Sequence, residues 1–205
     1  MRPKKESAQK ILEAAVKEFA KCGLAGARVD EIARRAGTNK QLIYYYYRNK
    51  EKLYAAVLEA VHAKVEEWIE ASPDDPGENF KFWLGVHAKD RSYVHLMVWE
   101  GLELKGKRIP AESKRREFYR KSVAKIRSNI GPHFWPQSLD PEQALLTWIC
   151  MVVAPFALPQ VCLLITGKKP TDPEFLEDRA HFFESLAGML KEESRSEAEI
   201  LLGQS

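Results

Sequence analysis

Cysteine is scarce in this chain of 205 residues: only Cys22, Cys150 and Cys162 occur, an odd number with no C-x-x-C spacing. Neither a disulfide framework nor a zinc site is suggested, and a reducing cytoplasm fits best. Behind the basic N-terminus Arg2-Pro3-Lys4-Lys5 there is no uninterrupted apolar stretch of the signal-peptide kind, so nothing marks the chain for export. Nucleophile motifs, metal-ligand clusters and glycine-rich phosphate loops are missing as well. Acidic pairs such as Glu66-Glu67 fall on a solvated helix face. The expectation is a protein that is not an enzyme and carries no cofactor and no metal. Alternating strand patterns are absent too, which leaves any single extended segment without a partner.

What is present is unevenly distributed. Apolar residues make up 45% of the chain, enough for a real core, and the net charge is only +3. Residues 1–52, however, hold 13 Lys and Arg against 6 Asp and Glu, a balance of +7, while residues 53–205 hold 19 against 23, a balance of −4. A basic segment of that size is an electrostatic footprint for a polyanion, either nucleic acid or an anionic membrane surface. The acidic remainder argues against uniform adhesion, so one end binds and the other does something else.

Within the basic segment, Ala8, Ile11, Leu12, Ala15 and Phe19 recur at three- and four-residue steps, the period of a half-buried helix, with Gly23 as its stop. Val29, Ile32, Ala33 and Ala36 mark a second helix of about two turns, with Asp30 and Glu31 suited to its N-terminal dipole and Gly37 at its end. Asn39 can cap a third helix to Tyr47, and Asn49 can cap a long fourth one from about Lys50 to Ala71. Propensity alone favours a strand over Leu42–Tyr47, but the segment lies between two capping Asn residues and has no partner strand. On a helical wheel Ile43 and Tyr47 share one side, able to face a core. Lys40, Gln41, Tyr44 and Tyr45 fall opposite.

The run Ile32-Ala33-Arg34-Arg35-Ala36-Gly37-Thr38-Asn39-Lys40, followed by Ile43-Tyr44-Tyr45-Tyr46-Tyr47-Arg48-Asn49-Lys50-Glu51, resembles the helix-turn-helix signature of the TetR family of transcriptional regulators. The likeness covers roughly residues 8–60. It implies an all-α fold: a three-helix helix-turn-helix DNA-binding domain over residues 1–52, then a helical-bundle domain for effector binding and dimerisation over residues 53–205. It also implies a repressor that binds a palindromic operator in double-stranded DNA as a homodimer and answers a small-molecule effector. DNA contacts carry over to Thr38, Asn39, Lys40, Gln41, Tyr44, Tyr45, Tyr46 and Lys50, with support from Arg28 and Val29 at the start of the second helix. The resemblance implies a capping Thr or Ser at the position of Arg28; arginine cannot cap in that way, so either another group caps the second helix or Arg28 points at phosphate, the latter being favoured. Gln41 stands where many relatives have glycine, and Tyr47 where many have Phe.

Farther on, Pro73, Pro76-Gly77, Gly101 to Pro110, Gly131 to Pro141 and Gly167 to Pro173 punctuate helical stretches. Asp140-Pro141 and Asp172-Pro173 both read as an N-cap followed by proline at the first helical position. From Gln143 to Gly167 no residue is charged. That length could span a bilayer, but Pro155 and Pro159 would break it midway with no second span to bury them, so a buried helix kinked by its prolines is expected, and no membrane. The resemblance assigns the dimer interface to residues of about 140–165 and 173–192. Trp83, His87, His95, Trp99, Trp148 and Phe156 are the candidate lining of an effector cavity. Cys150 and Cys162 are expected to be packing residues, with a thiol-based redox-sensing regulator as an alternative. A helical ligand carrier without DNA function is another, and it leaves the basic terminus unexplained.

Overall fold

Leu42–Tyr47 is helical, against its local propensity, because the Asn39 cap and the core beneath it outweigh that preference. The computed structural model describes the backbone of residues 3–104, 106, 109–125 and 139–202, and among these there are ten helices and no strand. In chain order they are α1 (Pro3–Gly26), α2 (Val29–Ala36), α3 (Lys40–Tyr47), α4 (Lys50–Ala71), α5 (Pro76–Lys89), α6 (Ser92–Leu104), α7 (Glu112–Lys125), α8 (Pro141–Ala157), α9 (Pro159–Thr166) and α10 (Pro173–Leu202). The chain divides into two units: Met1–Glu70 with Arg91–Glu112, and Ala71–Asp90 with Ser113–Ser205. The first unit therefore reaches past the 1–52 segment picked out by its charge, because α4 and α6 pack with the N-terminal helices.

In the first unit the apolar stripe of α1 does what its period predicts: Ile11, Ala15 and Phe19 are fully buried and meet Ile32 of α2, Ile43 of α3 and Leu53, Tyr54 and Val57 of α4. Tyr54 sets the edge of its ring against Phe19, with centroids 5.1 Å apart. Gly23 breaks α1 at the expected stop, and a further helical piece follows it: the residue takes φ 69°, ψ −176°, and the chain kinks there and resumes helical form to Gly26. α2 ends at Gly37 in the left-handed region (φ 63°), and the N–H of Thr38 reaches back to the Ala33 carbonyl (2.9 Å). Asn39 Oδ1 accepts from the Leu42 N–H at 2.9 Å, and Asn49 Oδ1 accepts from the Lys52 N–H at 2.8 Å. Both asparagines cap as expected.

In the second unit, Phe80 of α5 stacks on Phe183 of α10 with centroids 3.9 Å apart, and Trp148 of α8 presents an edge to both rings. Asp75 and Asp140 cap α5 and α8, each accepting two N–H bonds from the first turn, with proline next in line. Asp172 turns the other way and accepts from the Lys169 N–H. The apolar stretch expected to be one kinked helix over 140–165 is two helices. Pro155 is accommodated inside α8, whereas Leu158, the residue before Pro159, leaves helical geometry at ψ 58°, and α9 sets off at 86° to α8. Among the described residues no single helix is long and apolar enough to cross a membrane.

The Gly23 kink yields a stability prediction. A Cβ there would sit 2.9 Å from Trp99 ring atoms on α6, on a backbone whose φ disfavours any L side chain. Gly23→Ala is expected to lose about 1–3 kcal/mol of unfolding free energy, read from urea denaturation followed by circular dichroism. A midpoint equal to that of the wild type would contradict it.

Candidate nucleic-acid interface

α3 presents one wet face and one dry face. Ile43 is buried, and Tyr47 is half-buried with its hydroxyl donating to the Ala8 carbonyl at 3.1 Å; burial holds its phenol above the ordinary value. On the other side Gln41 is exposed, Tyr44 is 41% exposed and Tyr45 67%. Exposed rings of that size on a capped helix place hydroxyls and apolar edges where a groove can receive them. Tyr46 is only half-buried; it packs partly on the core and lies edge-on to Tyr45 at 5.4 Å. Of the four tyrosines, two are therefore presented outward.

Positive groups flank this face, and several are already engaged. Lys40 pairs with Asp30 of α2 at 2.8 Å, both about half exposed. Lys50, at the first position of α4, donates to the Ala25 and Ala27 carbonyls at 3.2 and 3.3 Å, which uses two of its three N–H groups. Asn39 is exposed, with its carbonyl oxygen committed to the cap. Thr38 is half-buried in the α2–α3 turn. Arg28 stands at the N-cap position of α2 in extended geometry and makes no side-chain cap, as its chemistry requires; its side chain is exposed. Val29 departs from expectation: it is a core residue, so the start of α2 offers backbone N–H groups at that position and no side chain.

Two acidic residues outside the expected set complete the arrangement. Glu18 is 4% exposed, accepts from the Arg28 N–H at 3.3 Å and faces Arg35 Nε at 3.8 Å. It could have been noticed as the single acid in the stripe Ile11, Ala14, Ala15, Phe19. Glu103 of α6 accepts from the N–H groups of Leu24 and Ala25 at 2.9 and 3.0 Å. No sequence pattern links residues so far apart.

The profile of bacterial regulatory proteins of the tetR family matches residues 11–57, the stretch that forms this surface. The HTH-type transcriptional repressor SCO4008 of Streptomyces coelicolor is 34% identical over 169 residues, covering 82% of this chain and 88% of that one. The chain belongs to the TetR family. It is a DNA-binding transcription regulator. The HTH-type transcriptional repressor NicS of Pseudomonas putida is 46% identical over 57 residues, 28% of this chain and 27% of that one. Among solved structures, the transcriptional regulator SCO4942 of Streptomyces coelicolor matches with a TM-score of 0.72 at 27% identity, covering 88% of this chain and 96% of that one.

The six candidate effector-binding residues of this TetR-family regulator divide between the units. His95 and Trp99 lie on α6 in the first unit, where Trp99 packs against Gly23. Trp83, His87, Trp148 and Phe156 lie in the second. There His87 is 2% exposed between Trp83 and Phe156, with ring centroids 6.0 and 5.9 Å away. Cys162 is buried, whereas Cys150, expected to pack, is exposed on α8. Among the described residues no group of three or more His, Cys, Asp or Glu side chains is placed to hold a metal ion.

Burial pushes the His87 imidazole down from 6.5 to about 4, with the charge of Asp90 opposing the shift. A folded-state value below the unfolded one means that the unfolded chain takes up the proton first as pH falls. The stability contributed by neutral His87 is thus full above pH 6.5 and is lost progressively towards pH 4. Between pH 7.5 and 5 the loss amounts to about 2 kcal/mol. Urea titrations at the two pH values should show a drop of that order in the wild type and a clearly smaller one in His87→Gln. Equal drops in both proteins would place the pH sensitivity elsewhere.

Proposed function

We propose that this TetR-family regulator is a ligand-responsive repressor that holds a palindromic operator as a homodimer and is released from it by a small-molecule effector. The observation that carries the reading is α3, whose outward face joins Gln41, Tyr44 and Tyr45 to the Lys40, Asn39 and Thr38 end of a capped helix. A helix of this size enters a major groove by its N-terminal half. Gln41 then meets base edges, while tyrosine hydroxyls and Lys40 reach phosphates or bases. Arg28, the Val29 backbone and the third N–H of Lys50 take phosphates from the side. Repression is supported by the names of the relatives in Streptomyces coelicolor and Pseudomonas putida, both repressors.

Dimer formation is supported by apolar side chains left exposed on the two helices expected to pair: Leu146 on α8, and Phe182 and Met189 on α10. Two-fold pairing sets two recognition helices about 34 Å apart, one turn of DNA, and so implies a palindrome. An effector among Trp83, His87 and Phe156 would favour one spacing of those helices over the other, which is a shift of population and not a new contact with DNA.

Selection of bound DNA from a random pool tests the reading as a whole: a palindrome is expected, and recovery of no preferred sequence would sink it. On the selected site, Tyr44→Phe should weaken binding by a few-fold. Lys50→Ala should weaken it on every sequence and flatten the salt dependence by about one unit of log–log slope. An unchanged slope in Lys50→Ala would confine that lysine to holding the turn. Phe182→Asp should convert the protein from dimer to monomer in analytical ultracentrifugation, and a dimer that survives the change would move the interface off α10.

A further inference from the structure

The turn that launches α2, Gly23-Leu24-Ala25-Gly26-Ala27-Arg28, has no short acceptor side chain of its own. Its backbone is held by charged groups from three other places. Glu103 on α6 accepts from the N–H groups of Leu24 and Ala25 at 2.9 and 3.0 Å, Lys50 on α4 donates to the carbonyls of Ala25 and Ala27, and Glu18 accepts from the Arg28 N–H. Ala25 is thus gripped at both ends, by a carboxylate on its N–H and an ammonium on its carbonyl, opposite charges aligned with the peptide dipole. The kink at Gly23 creates the need, since it interrupts the helical ladder and leaves the next N–H groups without their usual acceptors. A partly buried carboxylate that takes two N–H bonds is the stronger, charge-assisted kind of partner.

We infer that Glu103 is a positioning residue for DNA recognition, acting from α6 through the α1–α2 turn and well outside the helix-turn-helix sequence. α1 before the kink is secured by Ile11, Ala15 and Phe19, so loss of Glu103 leaves the core in place and loosens the turn, which Lys50 and Glu18 still hold at its far end. The turn sets where Arg28 and the first residues of α2 begin, and α2 in turn packs against α3. Base-reading groups need placement to within about 0.5 Å, so a loosened turn costs affinity before it costs the fold. Trp99, one turn before Glu103 and seated against Gly23, keeps α6 in register with the kink.

The inference rests on the DNA-binding reading, and the experiment separates the two. Wild type, Glu103→Gln and Glu103→Asp are titrated against the DNA selected by the wild-type protein, by fluorescence anisotropy across a salt series. Amide exchange at Leu24 and Ala25 is followed in parallel. Glu103→Gln should bind about tenfold more weakly with the wild-type salt slope, because no phosphate contact has been removed, and both amides should exchange faster. Glu103→Asp retains the carboxylate and should recover most of the affinity. Equal affinity of Glu103→Gln and wild type overturns the inference, as does a loss that merely follows the fraction of unfolded protein at the assay temperature. If the wild type itself selects no DNA, the DNA-binding reading falls and this inference with it.

Discussion

A helix of eight residues does not hold itself together in water, since nucleation costs more than two turns of hydrogen bonds return. Both helices of the DNA-reading motif, α2 and α3, are of that length. Their existence therefore depends on what they are packed against and on how their ends are closed. Ile32 and Ile43 supply the packing, dropped into a core built on α1 and α4. Gly37 closes the end of α2, Asn39 caps the start of α3, and the Arg48 N–H to the Tyr44 carbonyl closes its end. Much of the motif is therefore occupied with staying folded, while Gln41, Tyr44 and Tyr45 on α3 stand exposed and outside that duty.

Those local terms are the ones a linear reading sees well. Asn39 and Asn49, the αL glycine at Gly37, the span of α4 and the two faces of α3 all follow from neighbours within four residues, and the structure agrees at each. Gly23 was legible as a special position but not as a kink, because its consequence depends on Trp99 and Glu103 arriving from α6. Val29 carries two signals, a place in the apolar stripe of α2 and a place at its start beside Arg28; its side chain follows the first and is buried. Pro155 and Pro159 appeared equivalent in sequence; the first is absorbed within a helix and the second starts one, a difference set by the geometry of Leu158.

The aromatic residues of the middle of the chain show the limit most clearly. The six alike in type fall into two units, with Trp99 packed against the backbone at Gly23 while Trp83 and Phe156 approach the buried imidazole of His87. Residue type reports that a side chain wants company. Which company it finds is a matter of topology, and topology is non-local.

The first unit is also discontinuous in sequence: α6 is inserted into it from a stretch flanked on both sides by residues of the second unit. A recombination event or a designed chimera that exchanges the N-terminal segment with one cut would pair the turn at Gly23 with a foreign α6, lacking the Trp99 ring and the Glu103 carboxylate it was shaped to meet. The DNA-reading half of this protein is therefore not a transplantable block. Its heritable unit is a segment together with a distant helix, and the two must change in step.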